Sequence, residues 1–102
     1  MVNPASYSVY IQFAGYDRKQ IVSLADALAK QNWNVQGGDQ GGEELKSAAG
    51  LSEVRYHEAS QKTAADAVAA AITATGILNT QIKTVAVAAI RPTVLEVWIG
   101  QR

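Results

Sequence analysis

Tyr7-Ser8-Val9-Tyr10-Ile11-Gln12-Phe13 alternates without interruption: Tyr7, Val9, Ile11 and Phe13 fall on one side, Ser8, Tyr10 and Gln12 on the other. A period of two marks a strand with one buried and one open face. Gly15 ends the run. Asp17 follows as an N-cap, and Gln20 completes a capping-box-like pair with it. Ile21, Leu24, Ala25 and Leu28 then recur at helical spacing, with Lys19, Asp26 and Lys30 turned elsewhere. The helix is expected to end near Gln31-Asn32. Trp33 and Val35, alternating with Asn34 and Gln36, suggest a short second strand.

The second half repeats this plan in different residues. Gly37-Gly38-Asp39-Gln40-Gly41-Gly42 reads as a pliable connection, extending over residues 37–50 with one helical turn expected near 43–49. Val54 and Tyr56 oppose Glu53, Arg55 and His57 in a third strand over 51–57. Ser60 is positioned to cap an alanine-rich helix over 61–75, with Ala65, Val68 and Ile72 on one stripe and Gly76 as its terminator. Residues 85–90 and 94–99 are the last strand candidates. Arg91-Pro92-Thr93 between them suggests a hairpin-like turn.

The order β-α-β, glycine connection, β-α-β-β predicts a single α+β domain over residues 1–102. The expected form is a ferredoxin-like sandwich, with both helices on one face of a four- to five-stranded sheet. Two helices cannot cover both faces of such a sheet, so one face should remain open. If Val9, Ile11, Phe13, Val54, Tyr56, Leu95, Val97 and Ile99 face the helices, alternation turns Tyr10, Gln12, Arg55, His57, Glu96 and Trp98 outward. Two aromatic rings, a guanidinium, an imidazole, a carboxylate and an amide make a surface suited to sugars, peptides or another protein. The plainest reading of the same residues is a cross-strand Arg55–Glu96 ion pair with Tyr10 and Trp98 covering the sheet. Trp98 is the most telling, because an exposed strand tryptophan ordinarily has something over it.

Composition narrows the functions. The chain has 102 residues, 48% of them hydrophobic, enough for one core without staples. There are no cysteines, which excludes disulfides, thiolate metal sites and a cysteine nucleophile. Nine basic and nine acidic residues cancel and are dispersed, which disfavours nucleic-acid binding. No apolar run approaches the roughly 20 residues a membrane span needs, and the first residues lack a signal-peptide pattern. A cytoplasmic setting is expected if the chain is complete, and the cell envelope if it is an excised domain.

Catalytic and cofactor motifs fail on named residues. His57 is the single histidine, and no G-x-S-x-G elbow accompanies it. One histidine without cysteine cannot build a zinc site. The glycine run lacks the lysine of a phosphate loop, since Glu43 and Glu44 follow it and would repel phosphate. Asp39, Glu43 and Glu44 do not match the spacing of a calcium-binding loop. No cofactor, metal or catalytic residue is therefore expected.

Glu53-Val54-Arg55-Tyr56-His57, the alanine-rich helix after it and the closing Leu95-Glu96-Val97-Trp98-Ile99 resemble the C-terminal domain of the LytR/CpsA/Psr family. Val9-Tyr10-Ile11-Gln12, the helix that follows and Trp33-Asn34-Val35 fit the same layout. The resemblance implies a ferredoxin-like accessory domain of a larger, often envelope-linked bacterial protein. Its layout is similar to the sporulation-related repeat that binds peptidoglycan glycan strands, although no glycan-binding signature maps onto residues of this chain. The leading expectation is a non-catalytic module that binds a partner protein, its own copy or cell-wall glycan through the open face. The alternatives are a homo-oligomer pairing through that face, and a small ligand sensor or enzyme using His57 and Arg55.

Overall fold

In the computed structural model, which describes residues 2–38 and 42–101, the alternating stretch forms strand β1 (Ser8–Ala14). Helix α1 (Arg18–Lys30) starts at Asp17, whose backbone N–H donates to the Gln20 side-chain oxygen at 3.0 Å. It stops where Asn32 takes a left-handed φ of 73°. Two two-residue strands follow, β2 (Asn34–Val35) and β3 (Glu43–Glu44), then β4 (Ser52–Tyr56). Helix α2 (Lys62–Thr75) ends on Gly76, whose left-handed φ of 72° suits glycine. Strands β5 (Lys83–Ala86) and β6 (Val94–Gly100) complete the chain.

The chain is an α+β domain with two helices and one mixed, six-stranded sheet. The strand order is β2-β1-β6-β4-β5. Strand β6 takes one edge of β1 along its whole length, in parallel, so β2 and β3 share the other edge. Ser8 and Val9 sit beside Asn34 and Val35, while Gln12 and Phe13 sit beside Glu43 and Glu44. The residues on either side of the glycine run therefore pair with the same edge of β1. In each half, the strands flanking the helix are direct parallel neighbours, β1 with β2 and β4 with β5. The interleaved ferredoxin-like pairing expected from the element order is not what these contacts describe.

Other local expectations also shift. The helical turn expected near 43–49 is β3 followed by a 3-10 turn at Lys46–Ala48. Ser60 does not cap the second helix: it lies in a 3-10 turn at Ala59–Gln61, capped by Glu58, whose backbone N–H donates to the Gln61 side chain at 3.1 Å, and α2 begins just after it at Lys62. The hairpin expected around Pro92 does not form. Strand β5 is shorter and earlier than residues 85–90, and it pairs in parallel with β4, which separates it from β6.

The core forms where the periodicities place it. Val9, Ile11, Phe13, Val54, Leu95, Val97 and Ile99 from the sheet meet Ile21, Leu24 and Leu28 of α1 and Ala65, Val68 and Ile72 of α2, all essentially inaccessible. The two helices pack on each other and so share one face of the sheet. Alanines on α2 keep it close to the strands beneath it. Asp66 of α2 accepts from Thr84 of β5 and from Lys62, each at 2.9 Å. The Lys62 hydrogen bond, then that of Thr84, holds the Asp66 carboxyl below its ordinary range.

The last strand is clamped by the 3-10 turn. A Cβ at Gly100 would collide with the Ala48 carbonyl, so backbone lies on backbone here. Gly100→Ala should therefore cost about 1–3 kcal/mol by overpacking. Gly76→Ala should cost only ~1 kcal/mol, since its Cβ would meet open space and only the left-handed φ opposes it. Denaturant unfolding of the two variants separates the effects, and equal losses would contradict the clamp.

Candidate functional site

Strand register turns the open face into two rows of side chains. One row runs Val85, Arg55, Glu96 and Tyr10; the other runs Lys83, Glu53, Trp98, Gln12 and Glu43. Tyr10, Gln12, Arg55, Glu96 and Trp98 thus lie on one surface, and His57 follows at the end of β4. The two sides of this surface differ in chemistry.

On the β4–β6 side the polar groups serve one another. Arg55 Nε donates to Glu53 Oε2 at 2.9 Å, and its guanidinium lies 4.4 Å from the centre of the Trp98 ring. Trp98 Nε1 donates to Glu96 Oε1 at 2.9 Å. The Arg55–Glu96 ion pair expected from cross-strand register is replaced by Arg55–Glu53 along a single strand. The reason is burial: Glu53 is only 7% exposed and needs a cationic partner, while Glu96 satisfies the indole N–H. The cover that an exposed tryptophan calls for is supplied by Arg55 itself.

His57 is held by the connection after β5. Its Nδ1 lies 3.1 Å from the Ala88 carbonyl oxygen, which can only accept, so the proton resides on Nδ1. Its Nε2 lies 3.8 Å from a carboxylate oxygen of the exposed Glu58. Ile90, in the same connection, is buried, and it lines a depression of about 410 Å³ together with Tyr10, Gln12 and Glu96. Residues 87–88 thus meet the end of β4 and residues 89–91 border the open face beside β6 and β1, which alternation alone gave no reason to expect.

The β1 side is different. Tyr10 is 41% exposed and is the one large hydrophobic side chain that stands exposed among the described residues. Beside it, Gln12 Oε1 is buried and has no hydrogen-bond partner, alone in this among the described side chains. Tyr10 and Gln12 also line a groove of about 240 Å³ with Gln36, Gly37, Gly42 and Glu43. Glycine is required at 42: φ is +70°, and a Cβ would come within 2.6 Å of the Ile11 carbonyl oxygen. The missing side chain lets the loop rest on β1 and form the groove wall. Arg18 fixes that wall, with Nη1 donating to the Gly42 carbonyl at 3.3 Å.

Gln36, Gly37, Gly42 and Glu43 were not singled out by their spacing as site residues. The signal lay in the parallel return of the chain to β1, which brings Glu43 beside Gln12. Asp39, considered with Glu43 and Glu44 as a calcium ligand, lies outside the described residues. Glu43 and Glu44 are successive strand residues and so project to opposite faces.

Arg55→Ala should uncover the Trp98 ring and leave the Glu53 carboxylate buried without a partner. The expected loss is about 1–3 kcal/mol in denaturant unfolding, with a red-shifted tryptophan emission in the folded state. Unchanged stability and emission would show that the pair and the ring contact are not formed. Compared with family models, with curated proteins and with solved structures, the chain gives no match.

Proposed function

We propose that the chain is a non-catalytic binding module that holds a polar ligand or partner segment at the Tyr10–Gln12 side of its sheet face. The observation that carries this reading is the unpartnered, buried Gln12 carbonyl beside the exposed Tyr10 ring. A buried acceptor without a donor costs roughly 1–3 kcal/mol, and a bound molecule can supply that donor. Tyr10 adds a flat surface for stacking.

The remaining residues of the face support this narrower site by elimination. Arg55, Glu96 and Trp98 are engaged with Glu53 and with each other, and His57 is engaged with Ala88. Their role in this reading is to hold the face in shape. A sensor or enzyme working through His57 and Arg55 would have to break these contacts first. Pairing of two copies face to face would want a contiguous apolar patch, and one exposed tyrosine is not one.

The resemblance to the LytR/CpsA/Psr C-terminal domain gives this module a setting. In that setting it is an accessory domain of an envelope-linked protein, and cell-wall glycan is the alternative occupant of the face. Among the described residues, no helix is long and apolar enough to cross a membrane.

Backbone and side-chain amide NMR of the labelled protein, titrated with a panel of small amines, amides and methyl glycosides, tests the location. The expected shifts centre on Tyr10, Gln12, Gly37 and Gly42, and Tyr10→Ala weakens them. Shifts centred on Arg55, His57 and Trp98, or no shifts with any probe, would overturn the proposed site.

A further inference from the structure

The groove beside β1 is lined by a carboxylate, that of Glu43, which forms no ion pair among the described residues. We infer that it receives an alkylammonium group, such as the side-chain terminus of a lysine in a partner segment. The inference rests on the binding reading above and adds the chemistry of what is bound.

The described residues that line the groove include no cationic side chain. Arg18 donates to the Gly42 carbonyl and lies 5.3 Å from the Phe13 ring, and Arg91 lines the adjoining depression with Tyr10 and Gln12. Glu43 brings an exposed carboxylate that forms no ion pair among the described residues. Gln12 brings the buried carbonyl oxygen without a donor. Gln36 turns its amide nitrogen toward its own neighbour's carbonyl, Asn34 O, at 3.5 Å, which leaves its side-chain oxygen as an acceptor. Tyr10 adds the negative face of an aromatic ring.

An ammonium group matches this set in sign. It has three N–H donors and no acceptor, against a carboxylate and two amide oxygens. Its charge is drawn both to Glu43 and to the ring face of Tyr10. A carboxylate or phosphate would be repelled by Glu43, and none of the described residues lining the groove is cationic. Size agrees as well: about 240 Å³ is below the roughly 300–1,000 Å³ of pockets that enclose a whole small ligand. It suits the end of a side chain. Because Gln12 Oε1 is screened from solvent, its amide must turn to reach the incoming donor. That turn exchanges an unmade hydrogen bond for a charge-assisted one.

The test uses the full chain and three probes in NMR titrations: Nα-acetyl-lysine methylamide, the same compound acetylated on its ε-nitrogen, and methyl β-glucoside. The free lysine probe should shift Tyr10, the Gln12 side-chain amide and Gly42. The ε-acetylated probe should bind about tenfold more weakly or not at all, since acetylation removes the charge. Glu43→Gln should weaken the lysine probe by a similar factor of about ten. Its spectrum away from the groove should stay unchanged, because the residue is exposed on a two-residue strand. Equal binding of the charged and acetylated probes, or binding of the glucoside alone at these residues, would overturn the ammonium assignment while leaving the site in place. If no probe moves the groove residues, the site falls with it.

Discussion

Everything in this domain depends on where its last strand goes. Strand β6 enters between β1 and β4, parallel to one and antiparallel to the other, and uses both of its edges. Its inward residues Leu95, Val97 and Ile99 are fully buried and touch the territory of both helices. Without β6, the two βαβ halves would share helix contacts but no sheet. With it, they share one sheet and one core, consistent with the larger buried fraction that a single domain of this length needs.

That insertion also decides what the open face looks like. Strand β5 lies at the outer edge, so the chain must pass β4 to reach the centre. Helix α2 covers the other side, which leaves the open face as the route. The passing segment is pinned by His57 at one point and by burial of Ile90 at another. The neighbouring charges then close on themselves, Arg55 on Glu53 and Trp98, and Trp98 on Glu96. On the β1 side, Tyr10 and Gln12 stand between this segment and the groove formed with Gln36, Gly37, Gly42 and Glu43, and Tyr10 stays exposed. The same topology that secures the fold thus separates a self-satisfied half of the face from an accessible one.

Much of this was legible in local pattern. Period-two alternation assigned the inward residues of β1, β4 and β6 correctly, because burial on one face fixes strand register. Helical spacing and end signals located α1 and α2, with Gln20 and Gly76 acting as expected. Pairing was not legible. Alternation says which way Arg55 points but not that Glu53, buried on the same strand, outcompetes Glu96 for it. Strand partners come from long-range packing, so the neighbours of β5 could not be read from Pro92 and a short connection. The groove was hidden for the same reason: Glu43 joins the site only because its strand returns beside Gln12.

The division of the face into a covered and an open half is tested most directly by residue-resolved hydroxyl-radical footprinting of the folded protein. Tyrosine and tryptophan both react readily when exposed, so Tyr10 and Trp98 serve as internal references for each other. Tyr10 should be strongly modified, and Trp98, under the Arg55 guanidinium, should be protected. Modification of Trp98 at or above the level of Tyr10 would contradict the division and the placement of the site that follows from it.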